Sequence, residues 1–237
     1  MIKKRNMKTM TPEESRKVLG RNLPFGAAEA YKLLRTNLSF SMADAKKCRV
    51  IGVTSSIRGE GKSTTAMNLA YTMAQTGGKV LLLEADLRLS TVAKRLRIAP
   101  RPGLTNLLAG LCSGNDVLQA SGLIDNLWVI TAGSTPPNPA ELLASRQMEK
   151  VMSTLADEFD VIIVDLPPVT AVTDALLMSK MVDGMIVVVR QNYCDKRALD
   201  ETVRQLQFAD ARILGFVMSG AETSEKGYHH YGQYYRQ

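Results

Sequence analysis

Val50-Ile51-Gly52-Val53-Thr54-Ser55-Ser56-Ile57-Arg58-Gly59-Glu60-Gly61-Lys62-Ser63-Thr64-Thr65 decides how the rest of the chain is read. An apolar strand runs into a Gly-rich turn, and the turn ends in Gly-Lys-Ser where a helix is expected from about Gly61 to Thr76. In such a turn consecutive backbone N–H groups point inward and the helix presents its positive end to the same spot, which makes a phosphate cradle. Gly59 and Gly61 stand where backbone must approach phosphate, and Glu60 and Thr64 complete the binding segment. Lys62 reaches the β/γ-phosphate oxygens of a triphosphate. The Ser63 hydroxyl is one ligand of a Mg²⁺ that otherwise keeps mostly water and phosphate oxygens. The strict pattern G-x-x-x-x-G-K-[ST] fails at its first position, Ser56. The assignment therefore rests on the strand before, the helix after and the two glycines, against the plain alternative of a strand-to-helix turn with a solvated lysine.

Strands are expected near 49–55, 79–85, 127–131, 160–165, 184–190 and 212–218, with helices near 62–76, 140–157, 171–182 and 196–209. Runs such as Val80-Leu81-Leu82-Leu83 and Met185-Ile186-Val187-Val188-Val189 are apolar throughout, as a parallel sheet covered on both faces requires. The fold class is α/β: a doubly wound, mostly parallel P-loop NTPase sheet with helices on both faces. Asn138, Pro139 and Glu141 read as the capped start of the helix near 140. An earlier helix from Gly26 to about Ser41 carries Glu29, Lys32 and Arg35 as a charged stripe three residues apart.

Ligands of such sheets bind beyond the strand carboxyl ends. Two further strands end there in acids, in Glu84-Ala85-Asp86-Leu87-Arg88 and in Asp165-Leu166-Pro167-Pro168. Asp165 is placed to hold Mg²⁺ through water, with Asp86 beside it, while Glu84 or Asp86 faces the incoming nucleophile. Each acid alone also reads as a loop residue capping a helix; together with Gly-Lys-Ser they define a nucleotide site with an in-line acceptor position.

The 237 residues are 45% hydrophobic, enough for one large domain, and no run of about 18 apolar residues spans a bilayer. The N-terminus has no signal-peptide core, so an intracellular protein is expected. Cys48, Cys112 and Cys194 lack the spacing of a zinc or iron-sulfur site. Net charge is +7, and Lys3, Lys4, Arg5, Lys8, Arg16, Lys17 and Arg21 face only Glu13 and Glu14 in a basic leader over 1–21. Such leaders are usually just solvated, the alternative being contact with anionic lipid or an acidic partner. Aromatic residues at 5% and the lack of a recognition signature argue against nucleic acid. The main domain is expected over 22–226 and a polar tail over 227–237. That tail bears four of the seven tyrosines, Tyr228, Tyr231, Tyr234 and Tyr235, as accessible phosphoacceptors.

Thr54 to Thr65, Leu83 to Arg88 and Val164 to Pro168 resemble the Walker A, A′ and B motifs of the bacterial tyrosine kinases of capsule and exopolysaccharide synthesis. The likeness extends to Glu29–Leu38, Pro102–Thr105, Pro136–Leu143 and the tyrosine tail, covering roughly 22–237. It implies an ATP- and Mg²⁺-dependent protein-tyrosine kinase that phosphorylates its own tail, with Lys62, Glu84, Asp86 and Asp165 as catalytic residues. It also implies a ring-like homo-oligomer contacting through Glu29, Lys32 and Arg35, separate protein substrates, and an opposing phosphotyrosine phosphatase. A transmembrane activator would recruit the cytoplasmic chain to the inner face of the membrane. Three positions depart from the family pattern: Glu84 replaces an aspartate, Lys32 an arginine, and Ser219 an asparagine near the adenine. The competing reading is a positioning or partition ATPase switch, but the signature lysine of that class is replaced by Ile57. Electron-transferring ATPases would need cluster-ligating cysteines.

Overall fold

The computed structural model describes residues 19–42 and 47–221. Helix α1 (Phe25–Ser41) precedes β1 (Arg49–Ser55), and α2 (Lys62–Ala74) leads to β2 (Val80–Glu84). Three short helices follow, α3 (Val92–Leu96), α4 (Leu104–Leu108) and α5 (Gly114–Val117), then β3 (Gln119–Ala120) and β4 (Leu127–Ile130). The second half comprises α6 (Pro139–Leu143), α7 (Arg146–Glu158), β5 (Val161–Asp165), α8 (Asp174–Met178), β6 (Gly184–Arg190), α9 (Lys196–Phe208) and β7 (Ile213–Ser219).

The described strands form one sheet in the order β3-β4-β2-β5-β1-β6-β7. All pairings are parallel except β3 with β4. β-branched and leucine-rich strands bury side chains on both faces, as the apolar runs require. One face packs Leu81, Leu83, Ile162, Val164 and Val187 with Met148, Val151 and Leu155 of α7. The other packs Ile51, Val53, Leu82, Ile163 and Val188 with Met67, Leu69 and Met73 of α2. Each fully buried side chain of this size contributes about 1.5–3 kcal/mol of transfer free energy. Strong packing of this kind holds the register in which Asp165 lies opposite both Val53 and Glu84. No helix of the described residues is long and apolar enough to cross a membrane.

The six expected strands are present, and several boundaries differ for local reasons. The helix expected over 140–157 is two helices, because Ser145 ends one and starts the other. Its hydroxyl donates to the Leu142 carbonyl at 2.7 Å and accepts the Met148 N–H at 3.2 Å. Asn138 does occupy the N-cap position and Pro139 the first turn of α6, but the Asn138 amide donates to the Glu141 carboxylate at 2.6 Å instead of capping backbone. The helix expected over 171–182 is reduced to α8 and a 3-10 turn, Ser179–Met181. Packed structure begins before residue 22: Leu19 is buried, and the Gly20 N–H donates to Asn68 of α2 at 3.0 Å.

The stripe on α1 is used within the chain. Lys32 pairs with Glu29 at 2.7 Å, and the Arg35 guanidinium donates to the Thr72 carbonyl at 2.7 Å, pinning α1 to α2. The leader residues 1–18 and the tail with Tyr228, Tyr231, Tyr234 and Tyr235 lie outside the described residues. Ser145→Ala should remove the α7 cap at a cost of about 1 kcal/mol. Urea unfolding monitored by circular dichroism checks this, and an unchanged midpoint would mean that the hydroxyl does not hold the helix start.

Candidate nucleotide and phosphotransfer site

β1, β2 and β5 are neighbours, so the phosphate loop and both acidic motifs emerge side by side at one sheet edge. Gly59 and Gly61 have φ of +91° and +95°, in the left-handed region that favours glycine. A Cβ on Gly59 would also stand 2.8 Å from the Tyr193 hydroxyl oxygen.

The loop takes its shape from contacts that the sequence does not announce. The buried Glu60 carboxylate accepts the Ile57 N–H at 2.8 Å and the Arg190 N–H at 3.3 Å. Arg190 also donates to the Gly59 carbonyl at 3.0 Å and lies 5.3 Å from the Tyr193 ring centre. Tyr193 in turn donates to the Arg58 carbonyl at 3.0 Å. Ser219, the residue expected beside adenine, donates its hydroxyl to the Glu60 carbonyl. From the other side, Thr170 donates both N–H and hydroxyl to the Ser56 carbonyl, at 3.3 and 2.6 Å.

Lys62 stands between the acids. Its ammonium lies 2.8 Å from Asp86 Oδ2 and 3.5 Å from Asp165 Oδ1, with the Ser63 hydroxyl oxygen at 3.4 Å. Burial works against the Lys62 charge, but Asp165 and Asp86 outweigh it and the pKa is raised. Asp165 is raised too, because burial outweighs the attraction of Lys62 and the hydrogen bond from Ser63. Its Oδ2 is buried without a hydrogen-bond partner. A buried, unpartnered carboxylate oxygen beside a serine hydroxyl suits water-mediated retention of a hard cation. Ser63 and Asp165 thus fit the expected Mg²⁺.

The acids of the second motif part company. Asp86 spends Oδ1 on the Leu89 N–H at 3.1 Å and turns Oδ2 to Lys62. Glu84, expected to face the nucleophile with Asp86 or in its place, is fully buried with its oxygens otherwise engaged. Oε1 accepts the N–H groups of Thr91 and Val92 at 2.6 and 2.9 Å. Oε2 accepts the Ser90 hydroxyl at 2.8 Å and the Ala132 N–H at 3.1 Å. Burial raises its pKa against the lowering effect of these amides.

Asp174 and Arg95, absent from the sequence reading, belong to this neighbourhood. Arg88 clamps Asp174 of α8 through two bonds of 2.9 and 3.0 Å, linking the turn after β2 to the segment after β5. Arg95 of α3 donates to the Thr64 hydroxyl in the first turn of α2. A lone arginine on a five-residue helix carries no motif that would have exposed it.

This sheet, loop and pair of acids define the P-loop nucleotide-binding class. Comparison with known proteins narrows it. A family profile described as an AAA domain matches residues 48–213. Tyrosine-protein kinase YwqD of Bacillus subtilis is 37% identical over 188 residues, 79% of each chain. The solved kinase domain of Escherichia coli tyrosine kinase ETK is 30% identical with a TM-score of 0.80, covering 94% of this chain and 88% of that one. Tyrosine-protein kinase ptk of Acinetobacter johnsonii is 34% identical over 71% of this chain but only 23% of its own length. The chain belongs to the bacterial tyrosine-protein kinases.

The raised pKa of Asp165 carries a stability consequence. The folded chain binds that proton more tightly than the unfolded chain, so the stability contribution of Asp165 is lost as pH rises from the ordinary aspartate range through the folded value. In EDTA and without nucleotide, Asp165→Asn should raise Tm near neutral pH and reduce the gain toward pH 4. Calorimetry of both proteins at several pH values checks this, and a variant less stable at neutral pH contradicts it.

Proposed function

We propose that this kinase transfers the γ-phosphoryl group of ATP to tyrosine hydroxyls, first those of Tyr228, Tyr231, Tyr234 and Tyr235, in the control of capsule or exopolysaccharide synthesis. The observation that carries this reading is the Lys62 ammonium held between Asp86 and Asp165 at the mouth of the phosphate loop. Backbone N–H groups from Gly59 to Thr64 receive the phosphates, Glu60 among them through its backbone while its carboxylate braces the loop. Lys62 moves from Asp86 to the transferring oxygens, where its charge stabilises the transition state. Asp86, thereby released, accepts the phenolic proton. The tyrosine oxygen forms its bond to the γ-phosphorus as the bond to the β-phosphate oxygen breaks, and ADP leaves. Ser63, and Asp165 through water, would hold Mg²⁺, which when bound would supply charge that neutralises the phosphates.

A membrane-spanning activator fits the relation to ptk, in which a unit of this kind is a minor part of a longer chain. Its cytoplasmic segment raises activity and keeps the kinase at the inner face of the membrane, where a phosphotyrosine phosphatase reverses the reaction. Transfer runs in trans within a ring-like oligomer. Glu29 and Lys32, with side chains 39% and 48% exposed, remain available to that contact, whereas Arg35 serves the α1–α2 junction.

Lys62→Met should lower phosphotyrosine formation by about 10²-fold or more with an unaltered circular dichroism spectrum. Asp86→Asn should do the same. Mixing Lys62→Met carrying an intact tail with an active chain truncated before Tyr228 should place phosphate on the inactive chain's tail. An unlabelled tail, with wild-type labelling independent of concentration, would rule out transfer between molecules.

A further inference from the structure

α3 has five residues, too few to persist alone, and its first N–H groups need acceptors. Thr91, at the N-cap, makes no side-chain cap. The acceptor comes from the preceding strand instead: Glu84 Oε1 takes the N–H groups of Thr91 and Val92. The other oxygen is fixed to Ser90 and to Ala132 beyond β4. Val92, Ala93 and Leu96 bury the inner side of α3. Arg95 leaves that helix to bond Thr64, next to the residues that face phosphate and metal. Among the described residues no carboxylate pairs with Arg95.

We propose that Glu84 is a positioning residue, which fixes α3 so that Arg95 holds Thr64 and the first turn of the phosphate-loop helix in register for nucleotide. Glu84 touches no reacting atom in this arrangement; the proton passes to Asp86 alone. The extra methylene relative to aspartate supplies the reach. An aspartate ends about 1.5 Å shorter and loses contact with part of its four donors. A glutamine keeps the reach but turns one amide N–H toward a donor, so its effect is intermediate. The relay rests on the reading of the loop as a nucleotide site, and binding without turnover separates the two.

The test measures the dissociation constant of ADP alone by calorimetry, together with kcat and KM for ATP. Glu84→Asp should weaken ADP by about 10-fold and Arg95→Ala by about 5-fold, with kcat at saturating ATP within about 3-fold of wild type. Glu84→Gln should fall between wild type and Glu84→Asp. The double variant should bind no worse than Glu84→Asp, since both changes break one chain of contacts. Arg95 is partly exposed, so Arg95→Ala keeps the test open if a Glu84 variant fails to fold. Unchanged ADP affinity in Arg95→Ala, additive losses, or a kcat collapse in Glu84→Asp with normal ADP affinity would each overturn the relay. A wild-type chain that binds no ADP would overturn the nucleotide reading and the relay with it.

Discussion

Three carboxylates sit at adjoining strand ends in surroundings that exclude water, and one lysine stands between two of them. Burying charge is costly unless it is paired or hydrogen-bonded. The way each acid meets that cost separates their roles. Glu84 has four donors and nothing left to offer a substrate. Asp86 divides itself between a backbone N–H and the lysine, a partner that phosphate can draw away. Asp165 keeps one oxygen unpartnered, and burial raises its pKa despite the neighbouring ammonium. An unsatisfied group in so well packed a sheet is expected where binding, not folding, supplies the missing partner.

That sorting was invisible in the linear chain, although the location of the acids was not. Apolar runs ending in Glu84 and Asp165 place both at the sheet edge of the phosphate loop, because parallel strands share a direction. The register opposes Glu84 to Asp165. That Glu84 is the acid fully engaged by donors depends on residues 90–92 and 132, and no spacing rule links those to position 84. Arg95, Arg190, Tyr193 and Asp174 were hidden for the same reason: each acts on a segment distant in sequence. The short helices α3, α4 and α5 and the two-residue β3 hold too few residues to show a period. The helix expected over 140–157 ran through Ser145, whose capping of α7 shows only in the structure.

Both sides of the phosphate loop are braced. Arg190, Tyr193 and Ser219 reach it from β6, the following turn and β7, in each case through loop carbonyls. Carbonyls turned outward leave the loop N–H groups free to face inward, the orientation an anion needs. The departure at position 219 therefore has a use in this chain, since a short hydroxyl bonds the Glu60 carbonyl. On the other flank Thr170 donates two bonds to the Ser56 carbonyl, and Arg95 donates to the Thr64 hydroxyl.

The same geometry explains why a pattern search misses the loop. A glycine is required where φ is positive or a Cβ has no room. Gly59 and Gly61 have positive φ, while Ser56 is not among the described residues with that conformation. Thr170 needs only the Ser56 carbonyl, which any residue provides. A side chain at position 56 thus leaves the cradle's backbone intact. What the phosphate cradle demands of sequence here is two glycines, the lysine and serine that follow, and the strand and helix that aim them.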